Sequence, residues 1–199
     1  MTRQRKLAVE VNSLNKESNV IDNKSLELSI EATAKDHLLP VPILIGLAYA
    51  ESSFEYDATR YEVNYKYLVD AETLKPFRKL QEAEIAVENP PKDFKGIEGV
   101  TSAKEEWVGQ KTSFGPLQIM GAVAREAGFK GKFSELGGTT GVQYGIKHFA
   151  NFYTRFYEKH GIKGVISAYN CGQPKPETNP KYVEKVLHYA ELYRNWVGK

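Results

Sequence analysis

Residues 43–54 constrain the fold most, because they place one carboxylate at the end of an otherwise apolar helical run. At 3.6 residues per turn, Leu44, Leu47 and Glu51 lie on one stripe of that helix, so the face that must be buried also carries the acid. Burial without a charged partner raises the pKa of a carboxyl group, and a Glu that stays protonated can act as a general acid. Glu51 is therefore a candidate catalytic residue; the alternative is a helix-end Glu that reaches water or pairs with an Arg.

The length and charge of the chain limit its architecture and its partners. A chain of 199 residues can form one domain with a real core but has no room for a second catalytic domain. Its 27 Lys and Arg residues nearly balance 25 Asp and Glu residues, which argues against nucleic acid as the partner. The only cysteine, Cys171, excludes an internal disulfide. We expect a monomer held together by packing alone.

The chain begins with a polar, weakly patterned stretch, which predicts an N-terminal arm over 1–24 followed by one domain over 25–199. The basic start is not followed by an apolar segment of signal-peptide length, so no secretion signal is visible. No apolar run is long enough to span a bilayer, and we expect no membrane insertion.

Apolar spacing predicts helices throughout this domain, and strand signals are sparse. The predicted helices are an amphipathic one over 25–37, the Glu51 helix with Pro42 in its first turn, and helices over 116–127, 142–160, 165–170 and from 180 onward. Pro116 and Pro180 suit first turns, Asn179 suits an N-cap, and Gly128 and Gly161 suit helix ends. The fold class expected is all-α.

Three short motifs follow one another in the chain. The first is Glu51-Ser52, the second is Ser-Phe-Gly-Pro-Leu-Gln over 113–118, and the third is Ala-Tyr-Asn-Cys-Gly over 168–172. In this order they resemble the soluble-type lytic transglycosylases of glycoside hydrolase family 23, the relatives of goose-type lysozyme, over roughly residues 36–195. The chain departs from that family at Pro116, where Leu is usual, at Leu117, where Met is usual, and at Cys171, where Ala is common.

The resemblance implies a lysozyme-like helical domain with a substrate groove, acting on peptidoglycan glycan strands without a cofactor. Glu51 would protonate the β-1,4 glycosidic oxygen between N-acetylmuramic acid and N-acetylglucosamine, and the substrate's own N-acetyl group would stabilise the cationic centre. Glu51, now a base, would then take the proton of the muramic acid 6-hydroxyl, which closes a 1,6-anhydro ring.

The resemblance also implies substrate-binding roles for Ser113, Gln118, Tyr169, Asn170 and Tyr182. An amide such as that of Gln118 or Asn170 can both donate to and accept from a sugar N-acetyl group, and a Tyr hydroxyl can donate to a glycan oxygen or to the Glu. The alternatives are that Gln118 caps its helix and that Tyr182 packs in the core.

A Tyr-rich, charged segment over about 56–111 separates the first two motifs and looks like an insertion. Its early tyrosines, Tyr56, Tyr61, Tyr65 and Tyr67, could stack on sugar rings or could equally be ordinary packing residues.

A second carboxylate in the groove would favour a hydrolytic muramidase, in which water attacks instead of the 6-hydroxyl. Glu62 is the first candidate, with Glu55 and Asp57 as others; the alternative is that Arg60 and Glu62 are surface charges. A rival from another class is a peptidoglycan-binding module without turnover.

No His, Cys or Asp pattern surrounds His148 or His160, so we predict no metal site. Cys171 has no His nearby in sequence to activate it and is not expected to be a nucleophile. The site of action expected is the cell wall, and the absence of a visible signal together with the Tyr-rich segment favours a phage or mobile-element context.

Overall fold

The computed structural model describes residues 24–198, so the predicted arm over 1–24 lies almost entirely outside the described residues. Helices dominate this part, as expected from the sequence. They are α1 over 24–36, α2 Val41–Ser52, α3 Glu82–Ile85, α4 Ala103–Gln110, α5 Gly121–Glu126, α6 Gly138–Cys171 and α7 Pro180–Val197. Two short 3₁₀ helices, Phe133–Leu136 and Pro176–Thr178, precede α6 and α7.

Helix α2 is the centre of the main core. Every residue from Ile43 to Ala48 is buried, as expected for a helix that is apolar on all sides. Residues of α1, α6 and α7 surround it, including Ile30, Phe149 and Val186. A Cβ atom on Gly46 would lie 2.3 Å from the carbonyl oxygen of Val186, so only glycine allows α7 to pack this closely on α2.

A small antiparallel sheet corrects the all-α expectation. Its strands are β1 Thr59–Tyr61, β2 Thr112–Phe114 and β3 Ile119–Met120, in the order β1-β2-β3. Strands of two or three residues are too short to produce an alternating apolar pattern, so no strand is predicted at these positions. The sheet places Arg60 of β1 directly opposite Ser113 of β2.

The prediction of a helix over 116–127 is wrong in its first half. Residues 115–118 form the turn between β2 and β3, with Gly115 at φ 69° and Gln118 at φ 46°, and the helix begins only at Gly121. Pro116 therefore lies in a hairpin turn, a position that its fixed φ also suits. The glycine stop at Gly128, with φ 99°, is confirmed.

The long helix α6 is continuous except at one glycine. Gly161 has φ 62° and ψ −175°, which interrupts α6 between the predicted helices over 142–160 and 165–170. Asn179 occupies the predicted N-cap position of α7 and Pro180 its first turn, but the Asn179 side chain does not cap the helix. It instead accepts a hydrogen bond from the Ser167 hydroxyl at 2.8 Å and donates one to Asn170 at 3.0 Å, which ties α7 to the end of α6.

The 56–111 segment has an apolar cluster of its own, formed by Leu68, Leu80, Phe94 and Trp107. A fully buried ion pair fastens α4 to α5: the Arg125 guanidinium donates to both Glu106 carboxylate oxygens, at 2.8 and 3.0 Å. Gln110 also donates to Glu106 and exchanges two hydrogen bonds with the backbone of Val69. Because every buried side-chain polar atom in the described residues has a partner, this network fixes the segment without an unsatisfied group.

Candidate functional site

A groove of about 430 Å³ lies at the C-terminal end of α2, between the small sheet and α6. Its lining includes six residues singled out from the sequence: Glu51, Glu62, Ser113, Gln118, Tyr169 and Asn170. These residues come from three distant parts of the chain, and the fold brings them to one surface. Tyr182, the seventh, is outside the lining but touches Glu51 through a hydrogen bond.

Glu51 occupies the last turn of α2 and is half-buried. The Tyr182 hydroxyl of α7 donates a hydrogen bond of 2.5 Å to its Oε1 atom. Burial raises the pKa of Glu51, and the hydrogen bond from Tyr182 and the positive charges of Arg60 and Lys185 oppose that increase without cancelling it. The arrangement favours a carboxyl group that keeps its proton to higher pH than an exposed Glu.

Tyr182 is itself held in its neutral form. Burial and the neighbouring Glu51 carboxylate raise the pKa of its hydroxyl far above the usual range. The hydroxyl therefore remains a donor, and it occupies one carboxyl oxygen of Glu51 while leaving Oε2 for the proton.

Ser52, the second residue of the first motif, joins α2 to the β2–β3 turn. Its hydroxyl donates to the carbonyl oxygens of Ala48, at 3.1 Å, and Pro116, at 3.0 Å, and accepts from the Glu55 backbone N–H. The chain then turns sharply, because Ser53 and Phe54 both have positive φ values, of 58° and 68°. Backbone strain of this kind persists only where the surroundings enforce it, and here it lies directly beside Glu51.

Gln118 and Ser113 line the groove, but their polar atoms bond within the protein. The Ser113 hydroxyl donates to Gln118 Oε1 at 2.7 Å, and Gln118 Nε2 donates to the carbonyl oxygens of Ala58 and Gly115. The predicted helix-cap alternative for Gln118 is wrong, since the residue lies in a turn. Its amide instead holds the β2–β3 turn against the residue that precedes β1.

The third motif brings Tyr169 and Asn170 from α6 to the groove. The Tyr169 hydroxyl donates to the Leu117 carbonyl oxygen at 2.7 Å, which connects the second and third motifs. Burial and the Glu51 carboxylate raise the pKa of Tyr169 well above its usual range. Asn170 is exposed at the groove surface, where its side chain accepts a hydrogen bond from Asn179.

Glu62 lines the groove, but its carboxylate is paired. Arg60 Nε donates to Glu62 Oε1 at 2.5 Å, and the two side chains are 66% and 39% exposed. The pair thus lies on the solvent side of the groove, consistent with the interpretation of Arg60 and Glu62 as surface charges. Glu55 and Asp57 are exposed and lie outside the groove lining.

Other lining residues were not assigned to a site from the sequence. Asn64, Ile119, Met120, Val123 and His148 lie in the groove wall. His148 contacts the rings of Phe152 and Tyr169, and burial lowers its pKa to about 4, so its imidazole is neutral at neutral pH. No local pattern marks it, because only the packing of α6 brings it to the groove.

Among residues 24–198, no cluster of three or more His, Cys, Asp or Glu side chains is placed to hold a metal ion. None of the helices described is both long enough and apolar enough to cross a membrane. Cys171 is exposed and outside the groove lining, with its thiol 3.2 Å from the Ser167 carbonyl oxygen.

Comparison with known proteins adds no relative: no protein-family model, no curated protein and no solved structure matches this chain.

Proposed function

We propose that this chain is a peptidoglycan lytic transglycosylase, which cleaves the β-1,4 bond between N-acetylmuramic acid and N-acetylglucosamine and forms a 1,6-anhydro product. The observation that carries the proposal is the state of Glu51. Its carboxyl is half-buried in a groove wall, has a raised pKa, and accepts one hydrogen bond from a neutral Tyr182. No Lys, Arg or His of the described residues forms an ion pair with it.

This environment suits both proton transfers of the reaction. Protonated Glu51 can donate from Oε2 to the glycosidic oxygen, because Oε1 is occupied by the Tyr182 hydroxyl. The carboxylate that results keeps that hydrogen bond, which limits the cost of its charge in a half-buried position. The same carboxylate can then remove the proton of the 6-hydroxyl as the anhydro ring closes.

The state of the other groove acid favours the lyase over the muramidase. A second carboxylate that activates a water must face the reacting bond. Glu62 pairs through Oε1 with Arg60 on the solvent side of the groove, and Glu55 and Asp57 are outside the lining. The muramic acid 6-hydroxyl, carried by the substrate itself, needs no second carboxylate.

The decisive experiment is mass spectrometry of the soluble products released from purified peptidoglycan. We expect muropeptides one water lighter than hydrolysis products from the wild type and none from Glu51→Gln. The matched control is Glu55→Gln, the same change at an exposed residue outside the groove, which should keep full activity. Reducing-end products would instead identify a muramidase, and peptidoglycan binding without products from either protein would identify a binding module.

Loss of activity in Glu51→Gln should not reflect misfolding. Because the folded state raises the pKa of Glu51, the ionised form is destabilising, and stability is lost as pH rises through the folded-state pKa. The neutral Gln avoids this cost, so the variant should melt at least as high as the wild type at neutral pH. The difference should shrink below the pKa of an unfolded Glu.

A further inference from the structure

The 56–111 segment contributes one wall of the groove through Asn64 and Tyr65, which lie in a turn directly after Glu62. The Tyr65 backbone N–H donates to the Glu62 carbonyl oxygen at 2.9 Å, which closes this turn. Tyr65 is half-buried and packs on the apolar cluster of Leu68, Leu80, Phe94 and Trp107. Trp107 of that cluster directly follows Glu106, whose buried pair with Arg125 connects α4 to α5. Packing on the cluster places the Tyr65 ring at the groove.

Aromatic surface continues outward from Tyr65. The Tyr67 ring lies edge-on to it, with 5.9 Å between ring centres, and Tyr67 is 71% exposed. Lys66 Nζ lies over one face of the Tyr67 ring, 5.8 Å from its centre. Within the described residues, no hydrogen bond engages the Asn64 amide or the Tyr65 hydroxyl. The surface thus combines exposed ring area with free polar groups.

We propose that Asn64, Tyr65 and Tyr67 form an additional subsite for an N-acetylhexosamine ring of a long glycan strand. The inference rests on the proposed function, because it assigns a second part of the strand that Glu51 cleaves. A pyranose ring has an apolar face that packs on an aromatic ring, and its hydroxyl and N-acetyl groups need hydrogen-bond partners. Tyr67 offers the ring, and Asn64 and the Tyr65 hydroxyl offer the partners.

This subsite makes affinity depend on strand length. Tyr67 is outside the groove lining, so an oligosaccharide confined to the groove beside Glu51 does not contact it, whereas a longer strand covers both. The 56–111 segment therefore selects polymeric glycan over short fragments, with no change in the reacting groups.

The test uses the Glu51→Gln protein, which keeps the groove without turnover, and β-1,4-linked N-acetylglucosamine oligomers of two to six units as the probe. Isothermal titration should show that Tyr67→Ala weakens binding of the hexamer about tenfold, which is about 1.4 kcal/mol, and leaves binding of the dimer unchanged. Asn64→Ala and Tyr65→Phe should act in the same direction and more weakly. Tyr157→Ala, which removes an exposed Tyr of α6 outside the groove, is the control and should change neither affinity.

The outcomes separate this inference from the proposed function. Equal hexamer affinity in Tyr67→Ala and its parent overturns the subsite and leaves the reaction standing. A selective loss of hexamer affinity, in a protein whose wild type releases no products from peptidoglycan, supports the subsite and overturns the lyase. A parent that binds no oligomer of any length overturns the subsite, and the products that the wild type releases from peptidoglycan then decide the lyase separately.

Discussion

The pKa of the Glu51 carboxyl group is the result of burial acting against the polar and charged groups around it. Burial raises it, while Tyr182, Arg60 and Lys185 lower it. Lys185 also donates to the Ala50 carbonyl oxygen at 2.7 Å, which holds that cation beside the end of α2. Arg60 is the group best suited to mutation, because it is largely exposed and its charge is partly compensated by Glu62.

Changes at Arg60 and Glu62 should therefore move the pH profile in opposite directions. Arg60→Ala removes a cation, raises the pKa of Glu51 and extends activity to higher pH. Glu62→Gln removes the anion that compensates Arg60, lowers the pKa of Glu51 and moves the alkaline limb to lower pH. The measurement is the alkaline limb of kcat/KM, which reports the acid of the free enzyme.

Arg78→Ala serves as the control for these variants, because Arg78 pairs with Glu84 and Asp93 away from the groove. If Glu62→Gln abolished activity at every pH, Glu62 would be the second carboxylate and the muramidase would be favoured.

Among the elements, α4 and α5 depend on a charge pair that is completely removed from water. Glu106 and Arg125 both have side chains with 0% exposure. Such a pair contributes little net stability over an apolar substitute, but loss of one partner leaves an uncompensated buried charge. The pair also connects the 56–111 segment to α5, and Tyr65 of this segment lies in the groove wall.

Arg125→Met should destabilise the fold by about 3–5 kcal/mol, because it leaves the Glu106 carboxylate buried without its cation. Denaturant unfolding monitored by circular dichroism measures the change. Arg60→Ala, which removes an Arg that is 66% exposed and has one carboxylate partner, should change stability much less. A small effect of Arg125→Met would mean that the segment is not held by this pair.

For the molecule as a whole, the question is whether the 56–111 segment unfolds with the main core. Three kinds of contact connect the two parts. Strands β1 and β2 pair, with Arg60 opposite Ser113, and the Gln118 amide donates to the Ala58 carbonyl oxygen. The buried ion pair connects α4 to α5. Shared hydrogen bonds and buried contacts across both parts favour a single cooperative transition.

Trp107 provides the test, because it is buried in the segment's apolar cluster and the chain has only two Trp residues. In Trp196→Phe, which replaces an exposed Trp of α7, fluorescence reports Trp107 alone. We expect its urea transition to coincide with the helical signal in circular dichroism. An earlier fluorescence transition would identify a segment that unfolds by itself.

The sequence alone determined where the acid lies and which helix carries it. An apolar run of helical length with Pro42 at its start and Glu51 at its end can form little other than a buried helix, and α2 is that helix. The helix breaks at Gly161 and Gly128 could also be predicted from local sequence, because a backbone with positive φ favours glycine.

Only the tertiary structure decided what surrounds that acid. The Tyr182–Glu51 hydrogen bond and the place of His148 in the groove join positions that are distant in sequence. The hairpin turn at residues 115–118 is too short to form a pattern. Local propensity carries no information about such contacts, because they depend on how close Gly46 lets α7 approach α2 and on where the 56–111 segment is anchored.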